Sequence, residues 1–120
     1  MSQRVLVWVG SSKKDLTAFP DRVKDVMRYA LWPAQIGDKH PDAKPSQGFG
    51  GAGVVEIVDD YDGDTYRTVY TLTLADTVYV LHAFQKKSTH GASTSKRDVD
   101  LVRSRLKQAE EWHTSGRSRR

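Results

Sequence analysis

Cysteine is absent from the 120-residue chain, which removes disulfides, thiolate zinc sites and a cysteine nucleophile and fits a reducing compartment. No apolar run approaches the roughly 20 residues of a membrane span. The opening stretch MSQRVLVWVGSS holds too short an apolar segment for a signal peptide. The expectation is therefore a cytoplasmic protein with no membrane partner. The tripeptides H-R-D and D-F-G do not occur, so a kinase reading of any glycine loop lacks its catalytic parts. The length allows one modest core and no second lobe, with a single domain over 1–113 and a disordered basic tail over 114–120.

Hydrophobic content of 38% and charged content of 28% are those of an ordinary globular chain. The stretch Gly48 to Val55, GFGGAGVV, satisfies G-x-G-x-x-G. A dinucleotide fingerprint needs a strand before the glycines and a helix after them. Here a polar loop precedes and the β-branched VVEIVDD follows, so the glycines read as a close-packed approach to a strand. Net charge is +4, and Ser95 to Arg120 carries eight Lys or Arg against four Asp or Glu. Such an element suits a polyanion, nucleic acid first and an acidic protein second, against the plainer reading of a solvated helix face.

RVLVWVG (Arg4 to Gly10) alternates as a strand apolar on both sides, which places it centrally in a sheet. Ser11 and Ser12 offer caps for a short helical turn through Phe19. Pro20 opens a second helix whose stripe is Val23, Val26, Met27, Ala30 and Leu31, ending near Gly37, with Pro33 as a potential kink. A loop spans Asp38 to Gly53. Three strands follow, Val54 to Asp60, Thr65 to Thr73 and Thr77 to Gln85, joined by tight turns at Asp62-Gly63 and Ala75-Asp76 into an antiparallel meander. The acidic first turn resembles half a calcium loop, but counting from Asp60 places Thr71 where a glutamate is needed, so no metal is assigned. A final amphipathic helix covers Lys96 to His113. The fold class is α+β in the order β-α-α-β-β-β-α, a mostly antiparallel sheet with helices packed on one face and the other face exposed.

Two-residue turns would set Val58 opposite Arg67, Glu56 opposite Val69, Val69 opposite His82 and Arg67 opposite Phe84. Alternation then collects Val55, Ile57, Thr68, Tyr70, Leu72, Tyr79, Leu81 and Ala83 on the core side. Glu56, Val58, Arg67, Val69, Val80, His82, Phe84 and Lys86 fall on the open side. A carboxylate, an arginine, a histidine and a lysine thus converge. An ion pair between Glu56 and Arg67, a hydrogen-bonded sheet histidine and solubilising lysines are the plain alternatives.

The tract YRTVY, then VYVLHAFQKKS, then a polar stretch and a basic helix, resembles the RelE/ParE superfamily of type II toxins, in its phage-derived HigB-like branch. QIG, the Lys-Pro before GFGGAG, and VVEI are similar to that branch as well. The resemblance covers about residues 4 to 112 and implies a RelE-like domain. It also implies a ribosome-dependent mRNA endoribonuclease that inhibits translation and is neutralised by a cognate helix-turn-helix antitoxin. Carried over residue by residue, it marks Arg67, His82, Phe84, Lys86 and Lys87, and Lys44 in the glycine loop. Metal-independent cleavage by the substrate's own 2′-hydroxyl, which leaves a 2′,3′-cyclic phosphate, needs a base, cations and an acid. Arg67 would hold the nonbridging oxygens, Lys86 would stabilise charge or move a proton, His82 would serve as acid or base, and Glu56 would orient Arg67 or act as base. Lys44, Lys87, Arg97 and Arg103 would track phosphates, His90 is a lesser acid/base candidate, and no cofactor is called for. The rivals are a ParE-type toxin that inhibits DNA gyrase without RNA chemistry and a plain nucleic-acid-binding module.

Overall fold

β-Branched and aromatic residues dominate the segments that pair into the sheet, and the order of pairing sets everything that follows. The computed structural model describes residues 4–38, 40–46, 49, 53–72, 74, 76–86 and 95–115. Most of the glycine run, residues 87–94 with Lys87 and His90, and residues 116–120 of the expected tail lie outside the described residues, whereas Thr114 and Ser115, expected in that tail, are helical. The elements are β1 (Val5–Trp8), α1 (Ser12–Thr17), α2 (Asp21–Gln35), β2 (Lys44–Pro45), β3 (Val54–Tyr61), β4 (Asp64–Thr71), β5 (Thr77–Lys86) and α3 (Lys96–Ser115). The α+β class and the helix and strand order stand, with a two-residue strand, β2, added inside the stretch read as loop. It pairs antiparallel with β3, Lys44 opposite Glu56 and Pro45 opposite Val55.

The sheet order is β1-β5-β4-β3-β2, so the central place expected for β1 is corrected: it lies at an edge, parallel to β5. Its two apolar sides have a different cause. Leu6 and Trp8 pack with the α1 and α2 cluster, and Val7 packs with the α3 cluster. The sheet is therefore covered on both faces, and the expectation of helices on one face alone gives way. Leu16, Phe19, Val23, Met27, Ala30, Leu31 and Ala34 fill one side against Val55, Ile57, Tyr70 and Val80. Val99, Val102, Leu106, Ala109 and Trp112 recur at helical spacing along α3 and bury against Val54, Val69, Tyr79 and Leu81 on the other. An amphipathic helix of this length has to cover an apolar surface, since each fully buried aliphatic side chain contributes about 1.5–3 kcal/mol.

The Asp62-Gly63 turn has φ of 52° and 84° at its two residues, the left-handed pair that a two-residue hairpin requires. The register it sets holds along the whole β3–β4 ladder, including Val58 opposite Arg67 and Glu56 opposite Val69. On the β4–β5 ladder Arg67 faces Phe84 and Val69 faces His82, but the next pair is Tyr70 with Val80. Leu81 is the extra residue of a β-bulge. This corrects the face assignment of β5 beyond it: Tyr79 and Leu81 belong to the α3 side and Val80 to the α1 and α2 side, because one inserted residue inverts the alternation.

Candidate active site on the sheet face beside helix 3

The β3–β4 register puts Glu56 diagonal to Arg67, and the two form an ion pair in which Nη1 donates to Oε2. Both side chains are largely withdrawn from water, 8% exposed for Glu56 and 15% for Arg67. The other oxygen of Glu56 accepts a hydrogen bond from Ser46 Oγ at 3.2 Å. Ser46 follows the β2 bridge, and its N–H donates to the Val54 carbonyl at 2.9 Å while its own carbonyl accepts the Phe49 N–H at 3.2 Å. Burying a carboxylate is tolerable only when its lone pairs are met. Glu56 has a donor on each oxygen, so it serves as a holder of Arg67 better than as a proton acceptor.

Across β4, Phe84 sits opposite Arg67 and Lys86 opposite Thr65, which places His82, Phe84 and Lys86 in sequence along one side of β5 beyond the bulge. His82 and Phe84 stack with ring centroids 4.5 Å apart. The His82 ring is buried and its Nε2 lies 2.9 Å from Asp98 Oδ1 in the first turn of α3. Ser95 Oγ donates to Asp98 Oδ2 at 2.7 Å, and the Asp98 N–H donates back to Ser95 Oγ at 3.2 Å. This is a capping arrangement at the start of α3.

Burial pulls the His82 pKa below its usual value, against the hydrogen bond and charge of Asp98, which raise it. Burial also pushes the Asp98 carboxyl up. The hydrogen bonds from His82 and Ser95 and the charges of His82 and Lys86 outweigh that and leave it below the usual range. At neutral pH the pair is thus a neutral imidazole donating Nε2–H to a carboxylate. Its Nδ1 is buried with no hydrogen-bond partner among the described residues. Tyr70, a buried phenol pushed up to about 12 by desolvation, packs among the α1 and α2 cluster and offers no proton to this side.

The remaining cations divide. Lys44 is exposed directly opposite Glu56. Arg97 is exposed one residue before Asp98 in α3. Arg103 is exposed as well, but its guanidinium lies 5.0 Å over the ring of Phe49, itself buried against the α3 side of the sheet. The structure thus brings Glu56, Arg67, His82 and Lys86 onto one side of the sheet with Lys44 at its β2 margin, and Lys87 lies outside the described residues. Residue reasoning missed Ser46, Phe49 and Asp98. Asp98 had a readable signal, the S-x-x-D spacing of Ser95 and Asp98 ahead of an apolar stripe. Ser46 had none, because β2 is too short to show a period.

The model of the family described as "Phage derived protein Gp49-like" matches residues 14–107. No curated protein matches the chain. Among solved structures, the toxin RelE of Escherichia coli, a mutant in the free state, superposes with a TM-score of 0.55 at 13% identity, covering 88% of this chain and 97% of that one. The toxin–antitoxin complex RelBE2 of Mycobacterium tuberculosis gives a TM-score of 0.46 at 19% identity, over 73% of this chain and 97% of that one.

Proposed function

The chain belongs to the Gp49-like family of phage-derived proteins and shares the RelE fold, and from that premise we propose that it is the toxin of a type II toxin–antitoxin pair. Its proposed activity is that of a ribosome-dependent, metal-independent endoribonuclease acting on mRNA. The observation that carries the reading is the Glu56–Arg67 pair, held on the α3 side of the sheet with Lys86 on the neighbouring strand. A guanidinium locked by a buried carboxylate is a preorganised anion site, and preorganised charge is the main contribution a protein makes when the substrate brings its own nucleophile.

In this reading the 2′-oxygen attacks the adjacent phosphorus as its proton leaves to water. The bond to the 5′-oxygen breaks, and the products are a 2′,3′-cyclic phosphate and a 5′-hydroxyl. Arg67 carries the charge that develops on the nonbridging oxygens. Lys86 supplies the proton to the leaving 5′-oxygen. Glu56 orients Arg67, and His82, buried on Asp98, holds the first turn of α3 beside Lys86. Lys44, Arg97, Arg103 and Lys87 guide the phosphate backbone. The partners are the ribosome with its mRNA and a cognate helix-turn-helix antitoxin, and the place of action is the cytoplasm.

Primer extension on cellular mRNA after brief induction tests the proposal. The wild-type protein is expected to produce new cuts inside translated frames, and Arg67→Ala and Lys86→Ala to produce none. Growth arrest without cuts would transfer the reading to the gyrase-type inhibitor.

A further inference from the structure

The geometry points to Ser46 as a positioning residue that fixes Arg67 through the carboxylate of Glu56; what Arg67 then acts on rests on the nuclease reading. A carboxylate that holds a guanidinium through one oxygen is free to turn about its terminal torsion, and the guanidinium turns with it. Glu56 is tied at both ends, Oε2 by Arg67 and Oε1 by the Ser46 hydroxyl. Ser46 and Glu56 are 7% and 6% exposed, so bulk water has little access to replace the serine as donor.

Ser46 is itself fixed. Lys44 lies directly opposite Glu56 in the β2–β3 bridge, so two residues on, Ser46 shares its face in the diagonal position. Its N–H is bound to the Val54 carbonyl and its carbonyl to the Phe49 N–H. The hydroxyl is therefore a short side chain on a backbone pinned from both directions. A longer donor would bring its own torsional freedom. Phe49, whose N–H the Ser46 carbonyl accepts, packs its ring on the α3 side of the sheet with Arg103 of α3 above it. Ser46 and Phe49 thereby stand between α3 and the arginine centre.

Two measurements on the full chain decide this. In nitrogen-15 NMR of arginine side chains, wild type is expected to show resolved, slowly rotating Nη signals for Arg67. Ser46→Ala should collapse them and Ser46→Thr should keep them. Should the alanine protein not fold, Ser46→Cys fills the site with a somewhat larger atom that is a far weaker donor and should show the same collapse. In single-turnover cleavage of ribosome-bound mRNA, Ser46→Ala should lower the maximal rate about tenfold, the loss of one hydrogen bond to a charged group. The half-saturating ribosome concentration should stay unchanged, and threonine should restore the rate. Unchanged Arg67 signals in both the alanine and cysteine proteins would overturn the assignment, whatever the cleavage. Collapsed signals alongside a wild-type protein that cuts nothing would keep Ser46 as the residue that positions Arg67 and remove the nuclease reading instead.

Discussion

His82 is buried, hydrogen-bonded to Asp98 and stacked on Phe84, and that environment turns one side chain into a pH-dependent fastener between β5 and α3. Burial lowers its folded pKa below the ordinary 6.5, so the unfolded chain takes up the proton first. The contribution to stability is complete above about pH 6.5 and is lost as pH falls from there toward the depressed folded pKa. Asp98 is also held low, so its contribution is present above about 3.8 and is lost in a second, more acidic window. The urea midpoint is expected to fall between pH 7.5 and pH 5.5, and His82→Gln should flatten most of that fall. An equal fall in the variant would show that the upper window belongs to another group. Tract and spacing marked His82 as a candidate, but nothing in them shows that a carboxylate 16 residues later occupies its Nε2, because contacts of that sequence separation form only when the helix docks.

At the scale of elements, the β-bulge at Leu81 decides how α3 and α1 meet the sheet. β1 pairs with β5 only from Thr77 to Val80, and just past that point the Leu81 carbonyl accepts a hydrogen bond from Arg105 Nη1 of α3 at 3.0 Å. Arg105 Nη2 donates to Ser11 Oγ at 3.1 Å, beside the start of α1. Gly10 makes room for this guanidinium: a Cβ there would stand 2.8 Å from it, and the backbone φ is +57°. Gly10→Ala is therefore expected to cost more than the roughly 1–2 kcal/mol of a left-handed alanine, because Arg105 must also move. Thermal unfolding beside Arg105→Ala checks this. If the two single losses sum in the double variant, Gly10 and Arg105 act separately; a smaller combined loss shows that the glycine serves the arginine. The Asp-Gly turn and its register were legible from two residues, since few conformations satisfy that dipeptide between strands. The bulge was not, because Val80, Leu81 and His82 suit either face equally well.

For the whole molecule, the +4 charge is carried unevenly; exposed Lys44 lies opposite Glu56 on β2, and exposed Arg97 directly precedes Asp98 in α3. If RNA lies there, each phosphate contact releases counterions. The slope of log binding constant against log salt should then shrink by about 0.7 for each contact removed on a single strand. Lys44→Ala and Arg97→Ala, measured by fluorescence anisotropy with a short single-stranded RNA over a salt series, should each show that decrease. A slope equal to wild type in both would place the RNA elsewhere on the molecule. Among the described residues no helix is long and apolar enough to cross a membrane.

Periodicity and turn dipeptides by themselves determined the helices, the three-strand meander and the Glu56, Arg67, His82 and Phe84 alignment, since these rest on local rules, and the tracts YRTVY and VYVLHAFQKKS carried the family resemblance. Only the tertiary structure decided that β1 lies at an edge, that α3 covers the second face, that Leu81 bulges, and that Ser46 and Asp98 stand behind Arg67 and His82. Strands apolar on both sides look alike whether a strand or a helix covers them, and a buried polar partner is chosen by whichever group folding brings within hydrogen-bond reach.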